Sequence, residues 1–330
     1  MLVRFCTGLR ENREWPGGAA RARIGRSVSR SKAMDIEGLR AVVARHAASV
    51  NALAALGLAL DSRLRGTAMD GETASRTEAV LGSLGVSDLV ADASAAELLP
   101  VLAGIKVDLL SGSKLLTAPS AGAQTMEAIL RQALGDVSTG FPALLKRSIA
   151  PQLAGLRERL ETPGAAFLDI GVGVGALSVS MLREWPGLRA VGIDPSSEAI
   201  AQAHANVRAA GLADRIALHT GLAQEVTLDE MFDLAFVPSA FIPEAHVRAI
   251  VPRCQAALKA GGWLLLAMVN PGPDALGEAL AGFRTTMWGG TVFEKGAAQA
   301  LVEQWGYIDT RLLSGPAGAP VAFVAGRKPG

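Results

Sequence analysis

The stretch FLDIGVGVGALS, residues 167–178, decides the fold class of this chain. Its apolar residues run without polar alternation up to Asp169, which is typical of a strand buried on both faces of a parallel sheet. Glycines follow at every second position, where a backbone without side chains can turn tightly and approach a ligand closely. From Ala176 the apolar spacing becomes helical. A strand, a glycine loop and a helix predict a nucleotide-binding unit whose backbone N–H groups face the ligand.

The glycine spacing alone does not identify that ligand. Gly171, Gly173 and Ala176 also satisfy the G-x-G-x-x-G/A pattern of dinucleotide-binding domains. An NAD-dependent oxidoreductase is therefore an alternative that the rest of the chain has to decide.

Length and composition limit the class of protein. With 330 residues, half of them hydrophobic, the chain is long enough for two domains and a sizeable core. Cys6 and Cys254 provide neither a disulfide framework nor metal-ligand spacing, so we expect a cytoplasmic protein without a metal site. The apolar stretch at 49–60 is short and interrupted, which predicts no membrane partner.

Charge is unevenly distributed along the chain. Residues 1–33 carry a net charge of +6, and the remainder carries −5. The mildly acidic remainder has no nucleic-acid footprint. We expect residues 1–33 to be a disordered basic leader, an extension ahead of a natural start at Met34, whose deletion changes neither stability nor ligand binding. A mitochondrial transit peptide is the alternative, and Glu11 and Glu14 argue against it.

Residues 34–140 are predicted to form a helical cap or dimerisation domain, because apolar residues recur at helical spacing from Ile36 to Leu53. Ser94 and Glu97 predict a capping box. Further helices are expected near 73–83, 94–113, 123–134 and 141–160.

After residues 161–166, strands are expected near 166–170, 189–193, 216–220, 232–238 and 263–268, with helices near 175–184, 196–210, 243–259 and 274–287. Two final segments, YIDTRLL and PVAFVAGR, predict a hairpin at the sheet edge. The α/β fold class is thus a Rossmann-like, doubly wound, mostly parallel seven-stranded sheet with a C-terminal antiparallel hairpin, preceded by an all-helical domain.

Four motifs in this order resemble the class I S-adenosylmethionine-dependent methyltransferases, and the terminal hairpin matches the reversed last strand of that family. They are FLDIGVGVG, VGIDPS, FDLAFV and ALKAGGWLLL. The resemblance covers residues 141–330, and the helical segment before them is similar to the N-terminal caps of small-molecule methyltransferases.

The resemblance implies a cofactor site for S-adenosylmethionine. The glycine loop would cradle the methionine part while Asp169 orders the loop, and Asp194 would accept hydrogen bonds from the ribose hydroxyls. An N-cap of the following helix is the structural alternative for Asp194. Leu222 stands where the family often has an acid that binds adenine, so we expect apolar and backbone contacts there. The implied cofactor-binding residues are Asp169, Gly171, Val172, Gly173, Gly175, Asp194, Pro195, Gly221, Leu222, Ala223, Pro238 and Ser239.

Acceptor-binding residues are less well marked. Phe141, Met287 and Trp288 are candidates for the substrate pocket, each with core packing as the alternative. His246 is a weak candidate for a catalytic base, because plant-like O-methyltransferases have a histidine in a comparable region; a helix-packing histidine is the favoured reading. The motif VPSA at 237–240 differs from the Asn/Asp-Pro-Pro-Tyr of enzymes that methylate base or glutamine amino groups.

The sequence therefore predicts in-line methyl transfer from S-adenosylmethionine to a small-molecule acceptor, with oxygen as the favoured acceptor atom. It also predicts a homodimer formed through the helical domain. An NAD-dependent oxidoreductase and a non-catalytic S-adenosylmethionine-binding scaffold remain as alternatives.

Overall fold

The computed structural model describes residues 36–116, 123–226, 228, 231–271, 274–313 and 321–330. The predicted leader, residues 1–33, lies outside these ranges. The chain forms two compact units, one with the described residues up to 116 and one with those from 123 onward.

In its described residues the first unit contains four helices joined by short turns: α1 (Ile36–Arg65), α2 (Gly71–Leu84), α3 (Ser87–Asp92) and α4 (Ala95–Leu116). Its core contains Leu60 of α1, Val90 of α3, and three residues of α4. The predicted capping box is confirmed, since the Ser94 N–H donates to Glu97 at 3.0 Å and the Glu97 N–H donates to the Ser94 hydroxyl at 3.4 Å. Helix α3 was not predicted, because six residues are too few for a helical period.

Helix α1 carries an apolar surface that the residues described by the structure leave exposed. Ile36, Leu39, Val43 and Val50 are all exposed. The helix is long and apolar enough to cross a membrane, with a window of mean hydropathy 1.3 of which 6% is buried. The prediction that no apolar stretch is long enough to span a membrane is wrong, because the apolar residues at 49–60 are part of a 30-residue helix.

The second unit begins with α5 (Ala123–Val137), so residues that we assigned to the cap lie in the same unit as the sheet. The predicted helix at 141–160 is broken into α6 (Phe141–Leu144), a π-helical turn (Leu145–Ile149), a 3-10 turn (Ala150–Gln152) and α7 (Leu156–Glu161). Pro151 lacks an N–H donor, and Gly155 adopts φ 74°, a left-handed conformation that ends the helical path.

A seven-stranded sheet forms the centre of this unit, as predicted. Its strands are β1 (Ala166–Ile170), β2 (Arg189–Asp194), β3 (Ile216–Thr220), β4 (Phe232–Pro238), β5 (Leu258–Val269), β6 (Ile308–Leu313) and β7 (Val321–Arg327). They lie in the order β3-β2-β1-β4-β5-β7-β6. Strands β1 to β5 pair in parallel, and β7 pairs antiparallel with both β5 and β6. The predicted reversed hairpin is thus confirmed.

Helices cover both faces of the sheet: α8 (Ala176–Glu184), α9 (Ser197–Ala209), α10 (Glu244–Ala257), α11 (Ala275–Met287) and α12 (Ala297–Gln304), of which α12 was not predicted. Successive residues of β5 enter opposite cores, with Trp263 and Leu265 in one and Leu264 and Leu266 in the other. Burial on both faces explains why these strands read as continuous apolar runs. Strand β1 lies between β2 and β4, so the chain reverses its direction of winding there, and open α/β sheets bind ligands at such a point.

Candidate cofactor and acceptor site

The glycine loop joins β1 to α8 in a conformation that only glycine adopts easily. Gly171, Gly173 and Gly175 have φ values of 66°, 55° and 78°. The N–H groups of Gly171 and Val172 both donate to the Ile193 carbonyl, at 2.8 and 3.1 Å. These bonds fix the loop against the carboxyl end of β2.

The loop residues have different surroundings. A Cβ on Gly175 would contact Ala203 of α9 at 3.4 Å, so this glycine permits close helix packing. The side chain of Val172 lies beneath Gly192, where a Cβ would come within 2.6 Å of it. A Cβ on Gly173 would meet only the Gly171 carbonyl, at 3.8 Å. Gly173 therefore presents the open face of the loop, whereas Val172 and Gly175 face the protein.

Asp194, the last residue of β2, is 5% exposed and contacts the open part of the loop. Its Oδ2 accepts from the Gly173 N–H at 3.0 Å, and its Oδ1 accepts from the Ser196 N–H at 2.8 Å. Burial raises the pKa of Asp194, while these two N–H groups lower it. A carboxylate has about four lone-pair sites, so two remain for a ligand.

The N-cap role that we considered for Asp194 belongs to Ser196, whose hydroxyl accepts from the Ala199 N–H at 3.1 Å. Pro195 between them is exposed. Asp194 is therefore available for a binding role without being needed to cap α9.

Asp169 is 2% exposed and accepts a hydrogen bond from the Ser178 hydroxyl of α8 at 2.7 Å. Burial raises its pKa to about 7, although the Ser178 bond opposes the shift. This contact ties the end of β1 to the helix after the loop, which agrees with a role in ordering the loop.

The segment after β3 lies beside the end of β2, next to Asp194. The Gly221 N–H donates to the Asp194 carbonyl at 3.0 Å, Leu222 is half-buried, and Ala223 is buried in a core cluster. His246 of α10 faces this segment, since its Nδ1 lies 2.7 Å from the Gln224 amide nitrogen. That contact is what a helix-packing histidine would make.

Pro238 and Ser239, at and just after the end of β4, differ in whether their side chains can contact a ligand. A Cβ on Gly171 would contact Pro238 at 3.4 Å, so Pro238 borders the glycine loop. Ser239 is fully buried, and its hydroxyl donates to the Ala267 carbonyl of β5 at 2.8 Å. The Ser239 side chain therefore holds β4 to β5 instead of facing a ligand.

An aromatic pair lies beyond the carboxyl ends of β4 and β5. Phe241 and Trp288 stack with ring centroids 4.8 Å apart and an interplanar angle of 20°. Gly290 packs so closely on Ala240 that a Cβ would lie 1.9 Å from its carbonyl oxygen. Thr291 also bonds the Ser239 and Ile242 carbonyls, at 2.9 and 2.7 Å. Trp288 was predicted from the sequence and Phe241 was not, because their contact joins residues 47 positions apart.

Met287 and Phe141, the other acceptor candidates, have opposite environments. Met287 continues an exposed apolar stripe along α11 with Leu276, Leu280 and Phe283. Phe141 is buried and contacts Phe236 at 5.2 Å and Phe323 at 5.7 Å between ring centroids. Of the two roles considered for Phe141, substrate pocket and core packing, its burial therefore fits core packing.

A cleft of about 540 Å³ lies elsewhere and includes Lys146, Arg147, Arg157 and Glu184. Glu184 ends α8, which runs back toward the amino end of β2. This cleft is separate from the glycine loop and takes no part in the site.

The residues at the loop fit a nucleoside cofactor. Gly173 leaves space that a side chain would fill, and Asp194 offers unused acceptor sites beside it. Among the residues that the structure describes, no group of His, Cys, Asp and Glu gathers in an arrangement that would hold a metal ion.

Comparison with known proteins agrees with this geometry. A family model described as "Methyltransferase domain" matches residues 167–262, which hold the glycine loop, Asp194 and β4. The chain carries a methyltransferase domain. Its sheet order and reversed β7 give the whole second unit the class I methyltransferase fold.

Individual relatives match only parts of the chain. The release factor glutamine methyltransferase of Geobacter sulfurreducens is 38% identical over 88 residues, 27% of this chain and 30% of that protein. The ubiquinone biosynthesis O-methyltransferase of Xanthomonas axonopodis pv. citri is 35% identical over 131 residues, 38% of this chain and 51% of that protein. The matches thus span about half or less of these curated relatives.

A solved structure matches more of the chain. CalO1, a methyltransferase in calicheamicin biosynthesis in its SAH-bound form, has 20% identity and a TM-score of 0.55, and the match covers 90% of this chain and all of that one. At this identity the similarity establishes the fold.

Proposed function

We propose that this chain transfers a methyl group from S-adenosylmethionine to a small-molecule acceptor, and that the methylated atom is oxygen. The observation that carries the proposal is the buried Asp194 carboxylate bonded to the N–H of Gly173, at the end of β2 beside an open glycine loop. The proposal also draws on the O-methyltransferase among the relatives.

Asp194 would accept hydrogen bonds from the two ribose hydroxyls through its remaining lone pairs. The loop at Gly173 would hold the methionine part, and Leu222 would lie against adenine. When bound, S-adenosylmethionine supplies a methyl group on a positively charged sulfur. Transfer to an acceptor oxygen that has lost its proton to solvent forms the oxygen–carbon bond, while the carbon–sulfur electron pair stays on sulfur. The protein's task is to align the acceptor in line with that bond and to exclude water.

Phe241 and Trp288 would form an apolar wall for the acceptor, because they lie just past the strand ends at which the cofactor binds. The sequence VPSA after β4 differs from the motif of enzymes that methylate amide and base nitrogens, which favours a small molecule over the release factor substrate named for one relative. We assign no general base, since the Nδ1 of His246 is occupied by Gln224.

The test is methyl transfer with labelled S-adenosylmethionine and a panel of small hydroxylated acceptors, with products identified by mass spectrometry. For an accepted compound, Trp288→Ala should raise the acceptor KM at least about fivefold, the scale of a lost aromatic contact, and leave the affinity for S-adenosylhomocysteine unchanged. Trp305→Ala, at an exposed tryptophan after α12, is the matched control. Transfer to nitrogen compounds only would overturn the assignment of oxygen.

We further propose that the protein is a cytoplasmic homodimer that joins through α1. The exposed residues Ile36, Leu39, Val43, Val50 and Leu53 lie three, four or seven positions apart, so they share one face of the helix, as in a helix that packs against another helix. Charged residues such as Arg40 and Arg45 lie outside this stripe, whereas a helix surrounded by lipid is apolar on all sides. A second copy of the chain therefore suits the stripe better than a membrane.

A further inference from the structure

The cleft at the end of α8 that lies away from the glycine loop concentrates positive charge. Its volume of about 540 Å³ is in the range of small-molecule sites. Three basic side chains line it, Lys146, Arg147 and Arg157, against one acid, Glu184, so the lining carries a net charge of +2. Residues 34–330 together carry −5. This cleft, which we call the basic cleft, is thus opposite in sign to the net charge of that region.

The π-helical turn Leu145–Ile149 presents two of these cations. Leu145 and Ile149 are fully buried in the core beneath the sheet, which fixes the turn on the protein. Lys146 and Arg147 between them are exposed and line the basic cleft. Single π-helical turns are rare and occur frequently at functional sites. The two cations therefore project from a rigid support.

Arg157 reaches the same cleft from α7. Its Nη2 lies 3.5 Å from the Lys146 carbonyl oxygen, so α7 and the π-helical turn place their cations beside each other. Bringing like charges together raises the electrostatic energy unless an anion neutralises them, and a concave surface strengthens the field that attracts this anion.

Two of the three cations have no carboxylate partner in the part of the chain that the structure describes. The Lys146 ammonium pairs with the Glu184 carboxylate and lies 5.9 Å from the centre of the Trp185 ring. Within those residues, neither Arg147 nor Arg157 pairs with an acid. Both therefore keep N–H donors in the fork geometry that binds two oxygens of one phosphate.

A hollow of about 230 Å³ adjoins the basic cleft, since Lys146 and Glu184 line both. Its lining includes the apolar side chains of Trp185 and Pro186, together with a second acid, Glu161. The two acids would repel an anion in the hollow, whereas the apolar side chains would pack against an uncharged organic group. A ligand with one anionic end and one organic end therefore fits the pair of cavities.

We propose that the basic cleft binds the phosphate group of a small organic molecule through Arg147 and Arg157, at a site separate from the glycine loop. A phosphate suits the cleft because its charge matches the net charge of the lining and its oxygens can accept from both forks at once. This binding site is independent of methyl transfer, so a failure of the proposed function would leave it standing.

Calorimetric titration of the full-length protein with inorganic pyrophosphate tests the site, at constant ionic strength and without divalent cations. Arg147→Gln combined with Arg157→Gln should weaken binding about tenfold or more, because both forks are lost. Arg208→Gln combined with Arg253→Gln is the matched control, since it removes the same charge from two exposed arginines that line neither cavity. The control should keep the wild-type affinity within about twofold, because scattered surface charges contribute little.

Glu184→Gln provides a second test with the opposite sign. Removing this acid frees Lys146 and ends the repulsion of the ligand, so pyrophosphate should bind about twofold to fivefold more tightly.

Three results would overturn the site. One is wild-type protein that does not bind pyrophosphate. Another is an equal loss in both double variants, because the affinity would then follow only the overall charge of the protein. The third is tighter binding of a tetraglutamate peptide than of pyrophosphate, which would assign the cleft to an acidic protein segment.

Discussion

At the scale of single residues, the two buried aspartates at the site do different work although the sequence presents both as acids at strand ends. Asp169 bonds Ser178 inside the protein, and Asp194 bonds the N–H of the open loop residue Gly173. Position along the strand decides the difference, since Asp169 lies one residue before the end of β1 and Asp194 is the last residue of β2.

The raised pKa of Asp169 makes stability depend on pH. Because its pKa is about 7 in the folded protein against an ordinary value of 3.8, the folded state binds more protons between these values. Its contribution to the free energy of unfolding therefore falls as pH rises from about 4 to 7, by an amount on the order of 4 kcal/mol at most. Asp169→Asn removes this titration, so its melting temperature should fall less than that of the wild type between pH 5 and pH 8.

Thermal unfolding at the two pH values provides the measurement, with Asp214→Asn, an exposed acid, as control. A wild type whose stability rises steadily across this range, with an unchanged slope in Asp169→Asn, would contradict the raised pKa.

At the scale of elements, the sheet was predictable and the surrounding helices were less so. Strands β1 to β4 were placed to within a residue, because buried parallel strands are continuous apolar runs bounded by turns. The pattern predicts one helix over 141–160 since its apolar spacing persists, while Pro151 and Gly155 break it. The position of α5 on the glycine loop depends on Gly135 meeting Val174, a contact that helical spacing cannot reveal.

The stripe on α1 gives a prediction for assembly. Val43→Glu combined with Val50→Glu places charges in the proposed helix–helix contact and should convert a dimer to a monomer, with affinity for S-adenosylhomocysteine unchanged within about twofold. Ala41→Glu combined with Ala48→Glu carries the same charges on the opposite side of the helix and should remain dimeric. Analytical ultracentrifugation distinguishes these states. A wild type that is monomeric at all concentrations, or that sediments with membranes, would refute the proposed dimer.

At the scale of the whole molecule, the limits of the two units predict which fragments fold. Five large apolar residues between 145 and 160 are at most 2% exposed and belong to the core beneath the sheet: Leu145, Ile149, Leu153, Leu156 and Leu160. Removing them would cost on the order of 10 kcal/mol, comparable with the total stability of a domain. A fragment of residues 161–330 should therefore not fold, whereas residues 119–330 should fold and bind S-adenosylhomocysteine.

Circular dichroism with thermal melting tests both fragments. Cooperative unfolding of residues 161–330 near the temperature of residues 119–330 would show that the segment from 123 to 161 is dispensable for this unit.

The central claim is that Asp194 and the glycine loop bind S-adenosylmethionine, and calorimetric titration with S-adenosylhomocysteine tests it most directly. Wild-type protein should bind, and Asp194→Ala should lose about 1.5–3 kcal/mol of binding free energy, the scale of hydrogen bonds to a charged group. Gly173→Val should lose more, because its side chain would fill the space beside Asp194, while Asp214→Ala should bind normally. Wild-type protein that does not bind, or a folded Asp194→Ala variant with unchanged affinity, would contradict the account.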